Sequence, residues 1–302
     1  MLSAVAKQKM LAISGLLSGA VVWGLIWYPY RLLAETGIPG SLSSLLTYVV
    51  ALVLGLFFFR GAFRQIFQSG WLPILIGISA GWTNLAYVLA VIDGEIMRVL
   101  LLFYLSPFWT VIFAHLLLRE KPILAGYAVM ALSLAGAVVM LWRPEFGMPL
   151  PQNRAEWLGL SAGLMFALSN VLARKAHHLG VQTKSVSIWV GVALLSLLPI
   201  LWAPSEAVAL GTLAWSGWLW LLVIGVAIFC ITLTVQFGLA HTPANQAIVI
   251  FLFELVVAAF SSYFLAGEIM SVQEWLGGAM IVAASLFSGK LEKQHEDTNE
   301  GH

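Results

Sequence analysis

The sequence predicts an all-α integral membrane protein of ten transmembrane helices. Three features carry that prediction: the apolar excess of the chain, the lengths of its apolar runs, and the side on which its basic residues fall. Of 302 residues, 61% are hydrophobic and 10% charged, whereas soluble domains carry about a quarter charged and about half apolar residues. A water-soluble core of this size cannot hide such an excess, so most of the surface needs lipid as its solvent. A net charge of +1 gives no basic face for nucleic acid. The single cysteine, Cys230, lies inside an apolar run, which excludes a disulfide framework and a cysteine metal site.

Crossing the hydrocarbon takes about 20 apolar residues. The first such run, 10–33, follows Lys7 and Lys9. It is longer than the roughly 7–15 residues of a cleavable signal core, so a retained helix is expected. Runs at 42–59, 72–92, 96–118 and 123–142 complete a first set, and 157–176, 185–202, 215–239, 244–266 and 272–288 form a second. Turn-like segments separate them: TGIPG at 36–40, DGE at 93–95, REKP at 119–122 and HTPAN at 241–245. Trp71, Trp142, Trp157, Trp202, Trp215, Trp218 and Trp275 fall near run ends, where an indole sits at headgroup level.

With the amino terminus inside, Lys7, Lys9, Arg60, Arg64, Arg119, Lys121, Arg174, Lys175, Lys184, Lys290 and Lys293 are cytoplasmic. Only Arg31, Arg98, Arg143 and Arg154 fall outside. That positive-inside bias puts both termini in the cytoplasm and requires an even number of spans. The chain then divides into a five-helix unit at 1–142, an external linker at 143–156, a second five-helix unit at 157–289 and a polar cytoplasmic tail at 290–302.

The two units read as copies. An offset of 148 residues pairs Ile76 with Ile224, Gly77 with Gly225, Phe103 with Phe251, Glu120 with Glu268, Ala131 with Ala279 and Ala135 with Ala283. A slightly shorter offset brings Arg31 onto Arg174. The recurrence of a glutamate ending the fourth helix of each unit is the stronger signal. Because five is odd, the second copy enters the membrane from the opposite side, giving an inverted repeat of the kind around which secondary transporters rock.

The stretch NLAYVLAVIDGEIMRVLLLFYLSPFWTVIFAHLLLREKP at 84–122 has a mid-helix proline and a glutamate ending the helix. Its second copy, GLAHTPANQAIVIFLFELVVAAFSSYFLAGE at 238–268, has Leu255 where Pro107 would recur. On these segments and the two-by-five repeat, the chain resembles the drug/metabolite transporter superfamily in its ten-helix EamA-type branch, most nearly the bacterial aromatic amino acid exporters. The resemblance implies a protein of the bacterial inner membrane. It also implies efflux of amino acids and related metabolites through a central cavity lined by helices 1, 3, 4, 6, 8 and 9.

Polar groups inside the spans are the first candidates for a site, because hydrocarbon penalises them unless they face protein or water. Glu254 stands out, placed near the middle of helix 9 between apolar residues 248–253 and 255–260. It is either a proton- or ammonium-binding carboxylate or a structural acid bonded to a neighbouring helix. A lone acid without a titratable partner in its segment favours a facilitator over a proton-coupled carrier. Asn84 and Tyr87 share a face of helix 3. Asn170, Gln236 and Gln246 are further candidates, although such amides more often stitch helices together. Trp23, Trp27, Tyr30, Tyr104 and Trp109 lie away from the interfacial belt and are either pocket walls or ordinary packing. Pro29 and Pro107 remove backbone hydrogen bonds and are expected to kink helices 1 and 4.

Small residues in helix 5 (Gly126, Ala128, Ala131, Ala135, Gly136) and helix 10 (Gly277, Gly278, Ala279, Ala283, Ala284) suit close contact between the halves or between protomers of a homo-oligomer. Glu120 and Glu268 at helix ends read as structural. Arg31 and Arg98 either meet a substrate carboxylate or snorkel. His177 and His178 are adjacent in a loop and His115 is isolated, and neither HExxH nor a phosphate loop occurs. No enzyme, cofactor or metal site is therefore expected. A nucleotide-sugar or drug carrier of the same fold, and a non-transporting receptor or scaffold, are the alternatives.

Overall fold

The computed structural model describes residues 4–119, 124–142, 150–202, 211, 213–242 and 250–299. Gln246, Glu120 and the linker residues 143–149 lie outside them. Among the described residues all regular structure is helical. In chain order the helices are α1 (Ala4–Leu25), α2 (Trp27–Glu35), α3 (Gly40–Phe58), α4 (Arg60–Gln68), α5 (Trp71–Asp93), α6 (Ile96–Phe103) and α7 (Ser106–Phe113). They continue as α8 (Leu124–Leu141), α9 (Arg154–Lys175), α10 (Val181–Trp202), α11 (Trp215–His241), α12 (Phe253–Ser261) and α13 (Val272–Asn299).

Among the described residues seven helical stretches are long and apolar enough to cross a membrane: Gln8–Glu35, Gly40–Phe58, Trp71–Asp93, Ile96–Leu118, Arg154–Lys175, Val181–Trp202 and Trp215–His241. Gly126–Leu141 and Phe253–Ala266 are shorter apolar helices. The seven interfacial tryptophans all stand exposed, whereas Trp27 and Trp189 are buried. One helix was not expected. α4 turns Ala62 and Ile66 inward at i, i+4 spacing and leaves Arg60 and Arg64 toward solvent, an amphipathic segment too short to register as an apolar run.

In lipid, helices gain nothing from hiding apolar faces from each other, so small residues that let backbones approach set the crossings. A Cβ added to Gly191 of α10 would lie 1.8 Å from the Gly77 carbonyl oxygen of α5. In the second half Gly225 of α11 meets the Thr47 carbonyl of α3 in the same way, at 2.7 Å. α8 lies along α13, with Gly136 against the Gly277 carbonyl and Gly277 against that of Gly136. Those two glycines therefore pack the two halves against each other, one of the two uses expected of these stripes. Ala128, Ala131, Ala135 and Ala279 remain exposed.

The expected kinks become breaks. Pro29 has no N–H for the Leu25 carbonyl, and α1 stops at Leu25, with Ile26 forming the turn into α2. Pro107 does the same to Phe103, where α6 stops before α7 resumes at Ser106. α7 ends in a π-helical turn, Ala114–Leu118, closed by Arg119 at φ 60°. The same ending follows α12, where Ser262–Ala266 is closed by Gly267 at φ 67°.

Candidate functional site

Helix 9 also breaks, at Leu252, although it has no proline. The Leu255 amide turns back to the Leu252 carbonyl at 3.1 Å, which takes it from the Phe251 carbonyl that a continuous helix would have given it. Glu254 therefore does not sit mid-helix, as the sequence suggested. It occupies the first turn of α12, where unpaired amides and the positive end of the helix dipole favour an anion.

Three broken helices meet around this carboxylate. From the α6–α7 break, the Tyr104 hydroxyl donates to Glu254 Oε2 at 2.9 Å and lies 3.0 Å from the Phe251 carbonyl oxygen. From the α1–α2 break, Trp27 Nε1 donates to Ser261 Oγ at 3.0 Å, and Ser261 Oγ donates to the Gly24 carbonyl at 3.2 Å. Gly24 lets α1 close on α12: an added Cβ would lie 2.9 Å from the Glu254 carbonyl oxygen. Phe103 lies at the centre of the aromatic wall, with ring centroids 6.0 Å from Tyr87, 5.8 Å from Tyr104 and 5.0 Å from Phe166. Glu254 is 9% exposed and Tyr87 7%. The Tyr87 hydroxyl has no hydrogen-bond partner among the described residues and lies within electrostatic reach of Glu254.

Of the residues picked from sequence, Glu254, Tyr104 and Tyr87 thus come together; Trp27 bonds Ser261, two turns along α12 from Glu254, and half-buried Trp23 packs against the Leu16, Ile231 and Val235 cluster. Asn84 and Tyr30 stitch helices instead. Tyr48 donates to Asn84 Oδ1 at 2.6 Å, and Tyr30 shares a 2.9 Å bond with Thr47. Trp109 is half-buried and edge-on to Phe108, with its Nε1 unpartnered among the described residues. Asn170 and Gln236 are half-buried on α9 and α11, outside the Glu254 hydrogen bonds. Trp82 donates to Ser161 at the surface. Sequence reasoning passed over Tyr48, Phe103, Phe166 and Ser261. A tyrosine and a serine inside apolar runs were the available signals.

At one end of the bundle lies a second polar cluster. Arg98, 5% exposed, donates from Nε to Glu156 and from Nη1 to Glu274, both at 3.0 Å. Each glutamate also caps its own helix: Glu274 closes a capping box with Ser271 on α13, and on α9 the Glu156 amide donates to Asn153 Oδ1 while its carboxylate accepts from the Gln152 amide. Glu268 accepts from the Ile96 and Met97 amides at the start of α6, at 2.9 and 3.3 Å, and lies 3.6 Å from Arg31. Arg31 in turn donates to the carbonyls of Val91 and Gly94. Burial pushes the Glu268 carboxyl above the usual carboxylate range, against the lowering pull of those two amides and Arg31. Neither arginine snorkels, and both are held by the protein's own acceptors. A depression of about 440 Å³ beside Arg31 is lined by Arg31, Ala34, Glu35, Ile92, Asp93 and Gly94. None of the Glu254 group borders it.

The sequence model of the EamA-like transporter family matches residues 10–142 and again 153–289. An uncharacterized transporter of Archaeoglobus fulgidus is 25% identical over 210 residues, spanning 68% of this chain and 72% of that one. A protein of known crystal structure shares the fold at TM-score 0.60, over 94% of this chain and 98% of its own, with 18% identity.

Proposed function

Because the chain belongs to the EamA-like transporter family and is a multi-pass membrane transporter, we propose that it exports small amphiphilic metabolites, aromatic amino acids foremost, by alternating access. The observation that carries this reading is Glu254, a buried carboxylate at the junction of three broken helices, bonded to Tyr104, whose ring adjoins the Phe103, Tyr87 and Phe166 wall. Broken helices place backbone acceptors and helix termini at a substrate site near the midplane, and flat rings stack on flat substrates. In this reading ten helices form two inverted five-helix units, 1–142 and 157–289, in the bacterial inner membrane with both termini cytoplasmic. The Arg98 cluster then ties the external end, and its helices part when the site opens outward.

Counterflow of labelled tryptophan or phenylalanine in liposomes holding the purified protein tests the function. Saturable aromatic amino acid flux is expected. Flux of sugar nucleotides without it would move the chain to the rival carrier class. Topology is tested by a cysteine at Gln152 in a Cys230→Ala background, which is needed because Cys230 is exposed. An impermeant thiol reagent should label it in intact cells, and labelling only after the membrane is opened would reverse the orientation.

A further inference from the structure

Two acceptors converge on one point in the Glu254 group. Glu254 Oε2 and the Phe251 carbonyl oxygen lie 2.9 and 3.0 Å from the same Tyr104 hydroxyl. A hydroxyl has one hydrogen and serves one acceptor fully at a time. The Phe251 carbonyl has no compensation inside its helix, because the Leu255 amide bonds to Leu252. An acceptor left short of donors away from water costs stability. No basic side chain among the described residues reaches either oxygen: Arg31 and Arg98 are engaged with Glu268, Glu156 and Glu274. Nearby, the Tyr87 hydroxyl is buried without a partner. The Glu254 carboxylate and the Phe251 carbonyl therefore share one hydrogen, and the Tyr87 hydroxyl, a spare donor, is bonded to neither.

We propose that this point is an ammonium subsite, and that the Tyr104 hydroxyl is a placeholder which a primary amine displaces. An ammonium brings three hydrogens where the hydroxyl brings one, so it serves Glu254 and the Phe251 carbonyl together and neutralises the buried carboxylate. Recognition centres on the amine of the substrate. The aromatic wall of Phe103, Phe166 and Tyr87 takes the apolar body, and no cation among the described residues is provided for a carboxylate. The inference rests on the transport reading only for the statement that the occupant is cargo.

Calorimetric titration of the purified full chain with tryptamine (amine, no carboxylate) and with indole-3-propionate (carboxylate, no amine) tests it without requiring transport. Tryptamine should bind at least about tenfold tighter, the worth of a charge-assisted hydrogen bond in a buried site. Glu254→Gln should abolish that preference. Tyr104→Phe, which removes one atom and the competing bond, should tighten tryptamine several-fold and leave indole-3-propionate unchanged, and it carries the test should Glu254→Gln not fold. Equal binding of the two ligands, binding of neither, or weaker tryptamine binding in Tyr104→Phe would overturn the subsite. Tryptamine binding that survives in a protein with no tryptophan flux would leave the subsite standing and sink the transport reading alone.

Discussion

Glu156 and Glu274, at the Arg98 end, each accept three hydrogen bonds. Glu156 takes them from Arg98, Asn153 and the Gln152 amide, and Glu274 from Arg98 and from the amide and hydroxyl of Ser271. Glu254, equally buried, has one hydroxyl that it shares with a carbonyl. The difference separates two uses of a charge in a membrane protein. A carboxylate saturated by its own chain joins helices and has little left for a ligand. One left short of donors costs stability, and a donor arriving from outside relieves that cost. The two regions also differ in what holds them: at the Arg98 end, caps and an arginine staple the starts of α6, α9 and α13, while around Glu254 the backbone itself is broken.

The comparison is broken most easily at Arg98. Arg98→Ala leaves two buried glutamates without their cation and should cost about 3–5 kcal/mol, measured by denaturant unfolding in detergent, with tryptophan affinity retained in the molecules that fold. A loss below about 1 kcal/mol, within the range of an exposed pair, would show that the cluster is not structural.

Glu268 gives a smaller effect with a defined sign. Its carboxyl is raised above 4.5 by burial, so the neutral form favours the fold. That contribution is complete below 4.5, the unfolded value, and is lost as pH rises through the raised folded value. Wild-type stability should therefore fall over that window, and Glu268→Gln should flatten the slope. An unchanged slope in the variant would assign it to another group.

The smallest effect compares the two halves directly. Arg119 and Gly267 close equivalent π-turns in the left-handed region, which costs a non-glycine residue about 1–2 kcal/mol. Gly267→Ala should destabilise by about 1 kcal/mol and Arg119→Gly should stabilise by a similar amount. Thermal unfolding of both variants checks this, and shifts of the same sign would contradict the equivalence.

The membrane class and most of the helices were legible because hydrocarbon imposes a minimum apolar length on every span, and the tryptophans at the ends of those runs stand exposed. Glu254 could be singled out for a related reason, since a charge in an apolar run is costly unless it faces protein or water. Its surroundings were not. The breaks at Ile26 and before Ser106 could be traced to Pro29 and Pro107, but the break at Leu252 has no local cause: Leu255 keeps its N–H, and the carbonyl it abandons is held by Tyr104 from another helix. The Arg98 staple joins residues 58 and 176 positions apart, distances at which a single sequence is silent. Only its halves left local marks, the capping motifs NRAE at 153–156 and SVQE at 271–274.

The division between a functional and a structural carboxylate is tested most directly by tryptophan counterflow in liposomes, comparing Glu254→Gln with Glu156→Gln and recording thermal unfolding of each. Glu254→Gln should raise the KM at least about tenfold while unfolding near the wild-type temperature. Glu156→Gln should unfold at a lower temperature with an unchanged KM. A wild-type KM in Glu254→Gln, or a raised KM confined to Glu156→Gln, would contradict the account.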